Sequence, residues 1–507
     1  MDSNIGKNID RISNLPDALL CHILSFLPTK YAVGTSTLST RWQYLWTSVP
    51  NLDFDDSKCF QEYARLSEDK RKEVDLSFQY FVNRVLLLSD APCFQKFHLQ
   101  IGGSLELLDL VDTWISAAVK RNVEDLNLIN GFEINVRLPV RLFTSKTLVV
   151  LSLSGVLLDI PCSVWLPSLK SLRLDYVEYG DEDSLQEFLI GCPILEEMYI
   201  HRWTVDSQMV LNVSVPTLKR LTVFCYRDDF IDQLDDSDEP DDQGCKLVVD
   251  APQLEYLYLA DCVDILLRNL PSLSKVSFFV RHVCLRRGSF IDGLRMYKLL
   301  SGITNVKVLE AHLAFQTDVN DYMLPTFHNL TQLNFGADFD TSWNLKLLAD
   351  LLRCSPNLEV LILTGSIFST SAACWNPPQE VPSCLLLHLK KINVKAFRGK
   401  DYELDVIEYL LRNAKVLRKM TIDCQYSDDC CCGELAAFPR GSKTCQLNLL
   451  LTERVIYKIR ESSARYFRKI GSFEDEKQFV VFFDFREDVK HLVEIVNLAE
   501  YSRWRLP

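Results

Sequence analysis

One short pattern recurs thirteen times along this chain: an apolar residue, two of any type, an apolar residue, one of any type, and a further apolar residue. The copies begin at Phe94, Val123, Leu148, Leu169, Leu195, Leu218, Leu254, Leu273, Val306, Leu330, Leu358, Leu389 and Leu417, at intervals of 19 to 36 residues. Self-similarity at such a period predicts a stack of repeats, because each copy is a strand that can bury its alternating apolar side chains only against its neighbours. Helix-like stretches precede several copies: Trp114 to Val119, Ser184 to Ile190, Leu294 to Leu300, Leu345 to Leu352 and Leu404 to Leu411. The expected fold class is therefore α/β, a curved parallel sheet with helices outside.

The start of the chain follows a different rule. Pro16 and Asp17 stand where a helix begins, and Pro28 where it ends. Between them Leu19, Leu20, Ile23, Leu24 and Leu27 recur at helical spacing. Ser39 is positioned to cap a second short helix carrying Trp42, Leu45 and Trp46. So small a unit cannot bury this much apolar side chain, and the surplus is expected to face a partner.

Leu15-Pro16-Asp17, Leu38-Ser39, Arg41-Trp42, Tyr44-Leu45-Trp46 and Pro50-Asn51-Leu52 together resemble the plant-type F-box over residues 11 to 54. The resemblance implies docking to a Skp-type adaptor and through it to a cullin, with Leu15, Pro16, Leu19, Ile23, Leu24 and Leu27 as the adaptor-binding residues. Tyr31, Gly34 and Thr37 depart from the usual acidic, arginine and aliphatic types. Gly34 inside a helix costs about 1 kcal/mol relative to Ala, so a weak middle helix is expected.

The recurring strand motif resembles leucine-rich repeats of the irregular plant F-box kind, over residues 94 to 374 after a helical linker at 55 to 93. A full asparagine ladder is missing; Cys262, after Leu259, is the one residue of ladder type at that position. Leu389 to Gly399, Tyr409 to Ile422 and Phe438-Pro439-Arg440-Gly441-Ser442 resemble the FBD domain, taken as residues 375 to 448. On physical grounds it reads as two last repeats plus an edge strand closing the sheet. Residues 452 to 507 form an extension that includes a strand-like run from Gln478 to Phe485.

Composition excludes several classes. The formal net charge of −13 over 507 residues, with no basic stripe, argues against nucleic acid as the main partner. No apolar run approaches the ~20 residues of a membrane span, and the polar residues 1 to 14 are unlike a secretory signal. A cytoplasmic or nuclear, non-secreted chain is expected, its 17 cysteines reduced. The segment 228 to 242 holds nine carboxylates and reads as a solvated insertion. The eight histidines fall in no hydrolase or metalloprotease motif, and no phosphate-binding glycine loop occurs. Cys430-Cys431-Cys432 lacks the paired spacing of a zinc site. No catalytic residue, metal or cofactor is expected.

The reading is a non-catalytic specificity subunit of a Skp-cullin-F-box ubiquitin ligase that holds an unidentified target protein on the repeats. The alternatives are a ligase-independent repeat scaffold and a small-ligand receptor of the same architecture. Alternation places the target face: four consecutive copies turn Glu197, Tyr199 and His201, then Arg220, Thr222 and Phe224, then Tyr256, Tyr258 and Ala260, then Lys275, Ser277 and Phe279 to the concave side. Of these, Tyr199, His201, Arg220, Phe224, Tyr256, Tyr258, Lys275 and Phe279 are the candidate target-binding residues. Alternatively, a neighbouring loop such as 225 to 246 covers them and makes them core.

Overall fold

A computed structural model describes residues 12, 14–56, 67–102, 107–131, 136–160, 163–181, 183–203, 210–226, 246–260, 262, 264–280, 298–313, 324–336, 345–364, 375, 377–424, 432–451, 479–483 and 493–497. The acidic stretch 228 to 242, Cys430 and Cys431, and the tail from 452 to 478 fall outside them. The chain forms two compact units, one of residues 1–203 with 209–223 and the other of 204–208 with 224–507.

The first unit opens with helices Asp17–Leu24 and Thr29–Gly34, a 3₁₀ turn Thr35–Thr37 and a 3₁₀ helix Trp42–Ser48. The first helix is shorter than the span to Pro28 that the prolines imply. Ser39 caps through its backbone alone, its carbonyl accepting from the Trp42 N–H at 3.0 Å. Trp42, Leu45 and Trp46 close on Leu20 and Leu24 as a small core. The middle helix stops at Gly34, which has helical torsions (φ −57°, ψ −28°) and open space where a Cβ would sit. Gly34→Ala is therefore expected to stabilise the protein by about 0.4–1 kcal/mol, read as a raised melting temperature of the full chain; a lowered one would contradict it.

Asn51–Asp55 then starts a parallel sheet that continues through Lys96–Ile101, Asp125–Asn130, Val150–Ser154, Ser171–Asp175, Glu197–Trp203 and Arg220–Tyr226. This first strand carries no full repeat motif, yet it pairs in register with Lys96–Gln100. It ties the N-terminal helices to the repeats: the Asp53 N–H donates to Thr29 Oγ1 at 2.7 Å, and Asn51 Nδ2 to the Ser25 carbonyl at 3.2 Å. Alternate strand residues such as Leu126, Leu128, Leu151 and Leu153 are fully buried, as the period-two pattern requires.

Behind the sheet, helix Leu108–Lys120 buries Val111, Trp114, Ile115 and Ala118, one face at helical spacing. Helix Glu68–Leu88 lies against it, with Phe78 edge-on to Trp114 and Asn83 Oδ1 accepting from the indole N–H at 2.8 Å. Helices do not back every repeat. The short strands Val136–Arg137, Val156–Leu158 and Glu178–Tyr179 form a ladder of their own; the first is followed by the 3₁₀ helix Val140–Thr144 and the last by helix Ser184–Ile190, and the repeat of Val156–Leu158 has no helix among its described residues. Where successive copies lie close, as at Leu148 and Leu169, too little chain separates them for a helical turn-back.

In the second unit the parallel strands are Tyr256–Ala260, Lys275–Val280, Val308–Leu313, Gln332–Gly336, Val360–Thr364, Lys391–Lys395, Lys419–Asp423 and Gln446–Leu451. All thirteen predicted copies, across the two units, are strands. Helices Leu345–Cys354, Ser383–Leu387 and Asp401–Asn413 pack behind them, while Lys246–Asp250 and Asp264–Arg268 form a second short ladder. Of the expected helix Leu294 to Leu300, residues before 298 lie outside the described ones. The thiol of Cys262, the ladder-type residue, lies 3.2 Å from Cys225 Sγ and 3.4 Å from the Ala260 carbonyl oxygen.

Gln446–Leu451 is not the edge the sequence implies, since Phe479–Phe483 pairs antiparallel to it and Val493–Asn497 to that strand in turn. The Pro439-Arg440-Gly441-Ser442 run is a clamp. The Gly441 N–H donates to the Leu411 carbonyl at 2.7 Å, and Ser442 Oγ to the Leu417 carbonyl at 2.7 Å. A Cβ at Gly441 would collide with the Arg412 carbonyl, which explains the glycine.

Candidate functional site

Helix Asp17–Leu24 splits its apolar residues between two sides. Leu20 and Leu24 point into the core, Leu24 being 1% exposed, so Leu24 is corrected from adaptor contact to core residue. Leu19 and Ile23 point outward at 49% and 44% exposure, and Leu27 joins them on the following turn. Leu15 is half-buried and Pro16 exposed at the helix start. Phe26, three residues on from Ile23, is 74% exposed, and Ile12, Tyr31, Leu38 and Tyr44 are exposed apolar or aromatic side chains elsewhere in these helices and turns. Arg41 holds the leading turn in place, donating to Asp17 Oδ1 (2.6 Å from Nη2) and to the Leu15 carbonyl.

The eight residues expected to bind a target divide between the two units, Tyr199, His201 and Arg220 in the first and the other five in the second. On the open face of the first unit, Tyr199 and His201 stand edge to face with ring centroids 6.4 Å apart. Arg173, in register with Tyr199 on the neighbouring strand, lays its guanidinium 3.8 Å from that ring's centroid and forks onto Asp175 at 2.5 and 3.2 Å. Asp175 also faces His201 Nδ1 at 3.7 Å, and Tyr176 Oη meets His201 Nε2 at 3.2 Å. Arg220 pairs with Glu197.

Tyr176 has φ +51°, a left-handed conformation that Gly155 (+66°) and Ala396 (+54°) adopt after equivalent strands. For a side chain as bulky as tyrosine this is strain, of the kind that concentrates where function holds a residue in place. Its ring is retained against His201 at 4.4 Å. Burial pushes the Asp175 carboxyl up, but hydrogen bonds from His201 and Arg173 outweigh it and hold the group below the usual carboxylate range. A depressed folded-state pKa stabilises above the unfolded value of about 3.9 and is lost as pH falls through the folded one. Asp175→Asn should therefore melt below wild type at neutral pH, with the gap closing in acid; a gap independent of pH would refute this.

In the second unit Phe224 packs on Tyr258 at 5.0 Å, and Lys275 Nζ lies 5.4 Å from the Tyr256 ring centroid. Lys275 also reaches Glu310 Oε1 at 2.8 Å, and Ser277 Oγ donates to Glu310 Oε2 at 2.6 Å. Burial raises the Glu310 carboxyl, and the bonds from Lys275 and Ser277 more than reverse that. Phe279 tilts against His312 at 6.0 Å, and His312 lies so close over Gly336 that a side chain there would collide with it. The aromatics are half-buried, each on the open face with a polar or aromatic neighbour. Residues 227–245, within the segment expected as their alternative cover, lie outside the described residues.

Arg173, Asp175, Tyr176, Glu310 and His312 were not anticipated as members of these clusters. For all but Tyr176 a signal existed, since they occupy the same alternate positions in the copies beginning at Leu169 and Val306. What these groups offer is recognition: aromatic faces, fixed cations and carboxylates. Among the described residues no group of three or more His, Cys, Asp or Glu side chains is arranged to hold a metal ion. No described helix is long and apolar enough to cross a membrane.

Three family models match the chain: the F-box domain at residues 12–54, the LRR repeats described as FBD-associated F-box protein At5g56370 at 111–363, and FBD at 376–422. F-box/FBD/LRR-repeat protein At4g26340 of Arabidopsis thaliana is 34% identical over 426 residues, 81% of this chain and 91% of that protein. FBD-associated F-box protein At4g10400 of the same plant is 34% identical over 454 residues, 87% of this chain and 100% of that protein. The chain belongs to the F-box/FBD/LRR-repeat family. In this F-box/FBD/LRR-repeat protein the exposed Leu19, Ile23 and Leu27 fall inside the F-box match, and every open-face cluster described above falls inside the repeat match. The Gly441 clamp lies beyond the FBD match, which ends at residue 422.

Proposed function

We propose that this F-box/FBD/LRR-repeat protein is a non-catalytic specificity subunit of a Skp-cullin ubiquitin ligase. F-box domains generally bind Skp-type adaptors and so cullin complexes, and F-box, LRR and FBD domains are typical of adaptors without catalytic activity. The observation that carries the reading is the outward apolar surface of Leu19, Ile23, Phe26 and Leu27 over a core already closed by Trp42 and Trp46. The repeats would hold a target protein on their open face, through Tyr199, His201, Arg173 and Arg220 in one unit and Phe224, Tyr256, Tyr258, Lys275 and Phe279 in the other. The hydrogen bonds from Asp53 and Asn51 of the first strand to Thr29 and Ser25 would fix the adaptor surface to the first repeats. Such rigidity matters because the subunit would act by proximity alone.

Affinity purification of the full chain tests this, read by recovery of adaptor, cullin and a ubiquitinated co-purifying protein. Tyr256→Ala with Tyr258→Ala is expected to lose the target and retain the adaptor. Capture of the same target with no adaptor recovered from wild type would favour a ligase-independent scaffold instead.

A further inference from the structure

The lysines and arginines on the open face of the parallel strands fall into two sets. Lys96, Arg173, Arg220 and Lys275 each pair with a carboxylate of the same or the adjacent strand, Asp125, Asp175, Glu197 and Glu310 in turn. Lys391, Lys395 and Lys419, on strands Lys391–Lys395 and Lys419–Asp423, make no ion pair among the described residues. All three are exposed, because Ile392, Val394, Met420 and Ile422 take the buried positions between them. Lys391 is in register with Lys419, about 4.8 Å away across the strands. Like charges directly opposite one another destabilise a sheet. Asp423 is the one carboxylate on the two strands, at the end away from Lys391 and Lys419. At the near end Arg418 is a further exposed cation, while Lys390 is taken by Glu359 at 2.6 Å. The other carboxylates of this region are set behind the sheet, on helix Asp401–Asn413. In a chain of net charge −13, which supplies a carboxylate to every other open-face cation, this unpaired set is a departure.

We propose that this face docks an extended, carboxylate-rich segment of a protein partner. Lys391 and Lys395 are four residues apart, roughly 13 Å along the strand, which is the span between the first and fifth residues of an extended peptide. Asn393 and, in register with it, Thr421 are half-buried between the lysines and offer hydrogen-bonding groups. On the other side Val360 and Ile362 are in register with Lys391 and Asn393; they are half-buried and suit aliphatic side chains alternating with the acids. The chain as a whole repels an acidic segment, but fields are screened beyond about 10 Å at ~0.1 M salt, so the nearby lysines decide where it can settle. Uncharged positions on Gln332–Gly336 and Val360–Thr364 separate this face from Glu310 and His312. The site is distinct from the aromatic clusters and does not depend on the ligase reading.

The probe is acetyl-Glu-Leu-Glu-Leu-Glu amide, titrated into the full chain at low salt by calorimetry or NMR beside its glutamine counterpart. The glutamate peptide is expected to bind roughly tenfold tighter, an advantage that shrinks as salt is raised. Lys391→Gln with Lys419→Gln should weaken it about fivefold or more without lowering the melting temperature, since both side chains are exposed and their mutual repulsion is removed. Lys120→Gln with Lys146→Gln, exposed in the first unit, changes the net charge equally and should leave the affinity within about twofold. Equal binding of the two peptides, no binding at millimolar peptide, or the same loss in both double variants would overturn the assignment. So would self-association of the chain that the Lys391 and Lys419 substitutions abolish, which would put a second copy on this face.

Discussion

Leu19→Ala combined with Ile23→Ala is expected to abolish recovery of the Skp-type adaptor while leaving the fold intact. Both side chains are about half exposed, so truncation removes little from the core, and surface changes of this kind usually stay within about 0.5 kcal/mol. As central anchors of an interface, each costs about 2 kcal/mol of binding or more, near thirtyfold, and the pair exceeds what co-purification tolerates. The paired control is Leu20→Ala or Leu24→Ala on the same helix. These are buried, and each should cost ~2–5 kcal/mol of folding stability. Undiminished adaptor recovery with the Leu19/Ile23 variant and an unchanged melting curve would sink the adaptor surface proposed above.

The largest stability loss is expected at Trp114. Its indole is fully buried in helix Leu108–Lys120, its N–H is satisfied by Asn83, and Phe78 packs edge-on. It is the joint between helix Glu68–Leu88 and the repeats, so Trp114→Ala removes the transfer energy, leaves a cavity and orphans the Asn83 oxygen. About 3–5 kcal/mol is expected, measured by urea unfolding, and Trp114→Phe should recover part of it while still lacking the N–H donor. A loss below ~1 kcal/mol would mean the two helices repack freely.

Much of this architecture is legible without coordinates because the repeat obeys a local rule. The repeated apolar pattern located the thirteen repeat strands from Lys96–Ile101 to Lys419–Asp423, though not the strands of the short second ladders such as Val156–Leu158 and Lys246–Asp250, and helical spacing located Ser184–Ile190 and Leu345–Cys354 nearly to the residue. The rule fails where the repeat is incomplete. Asn51–Asp55 has two buried alternating residues, Leu52 and Phe54, too short a signal to announce a strand, and only pairing with Lys96–Gln100 makes it one.

In the F-box, Leu19, Leu20, Ile23, Leu24 and Leu27 form a single broad apolar stripe when read along the helix. Neighbours on a helix differ by about 100°, so a stripe this wide has two flanks, and the sequence holds nothing to say which flank docks. Packing by Trp42, Leu45 and Trp46 chooses Leu20 and Leu24, which leaves Leu19 and Ile23 for a partner.

The clusters on the open face divide the same way. Alternation along each strand determined that Arg173, Tyr199, Tyr256, Lys275 and Glu310 turn away from the core, and that much belongs to the sequence alone. Which of them meet is decided by register between strands distant in sequence: Arg173 opposite Tyr199, Ser277 opposite Glu310, Asp53 opposite His98. Register depends on how loops of unequal length return the chain to the sheet. That is a property of the folded backbone, so the ion pairs and the strained Tyr176 emerge only with the tertiary structure.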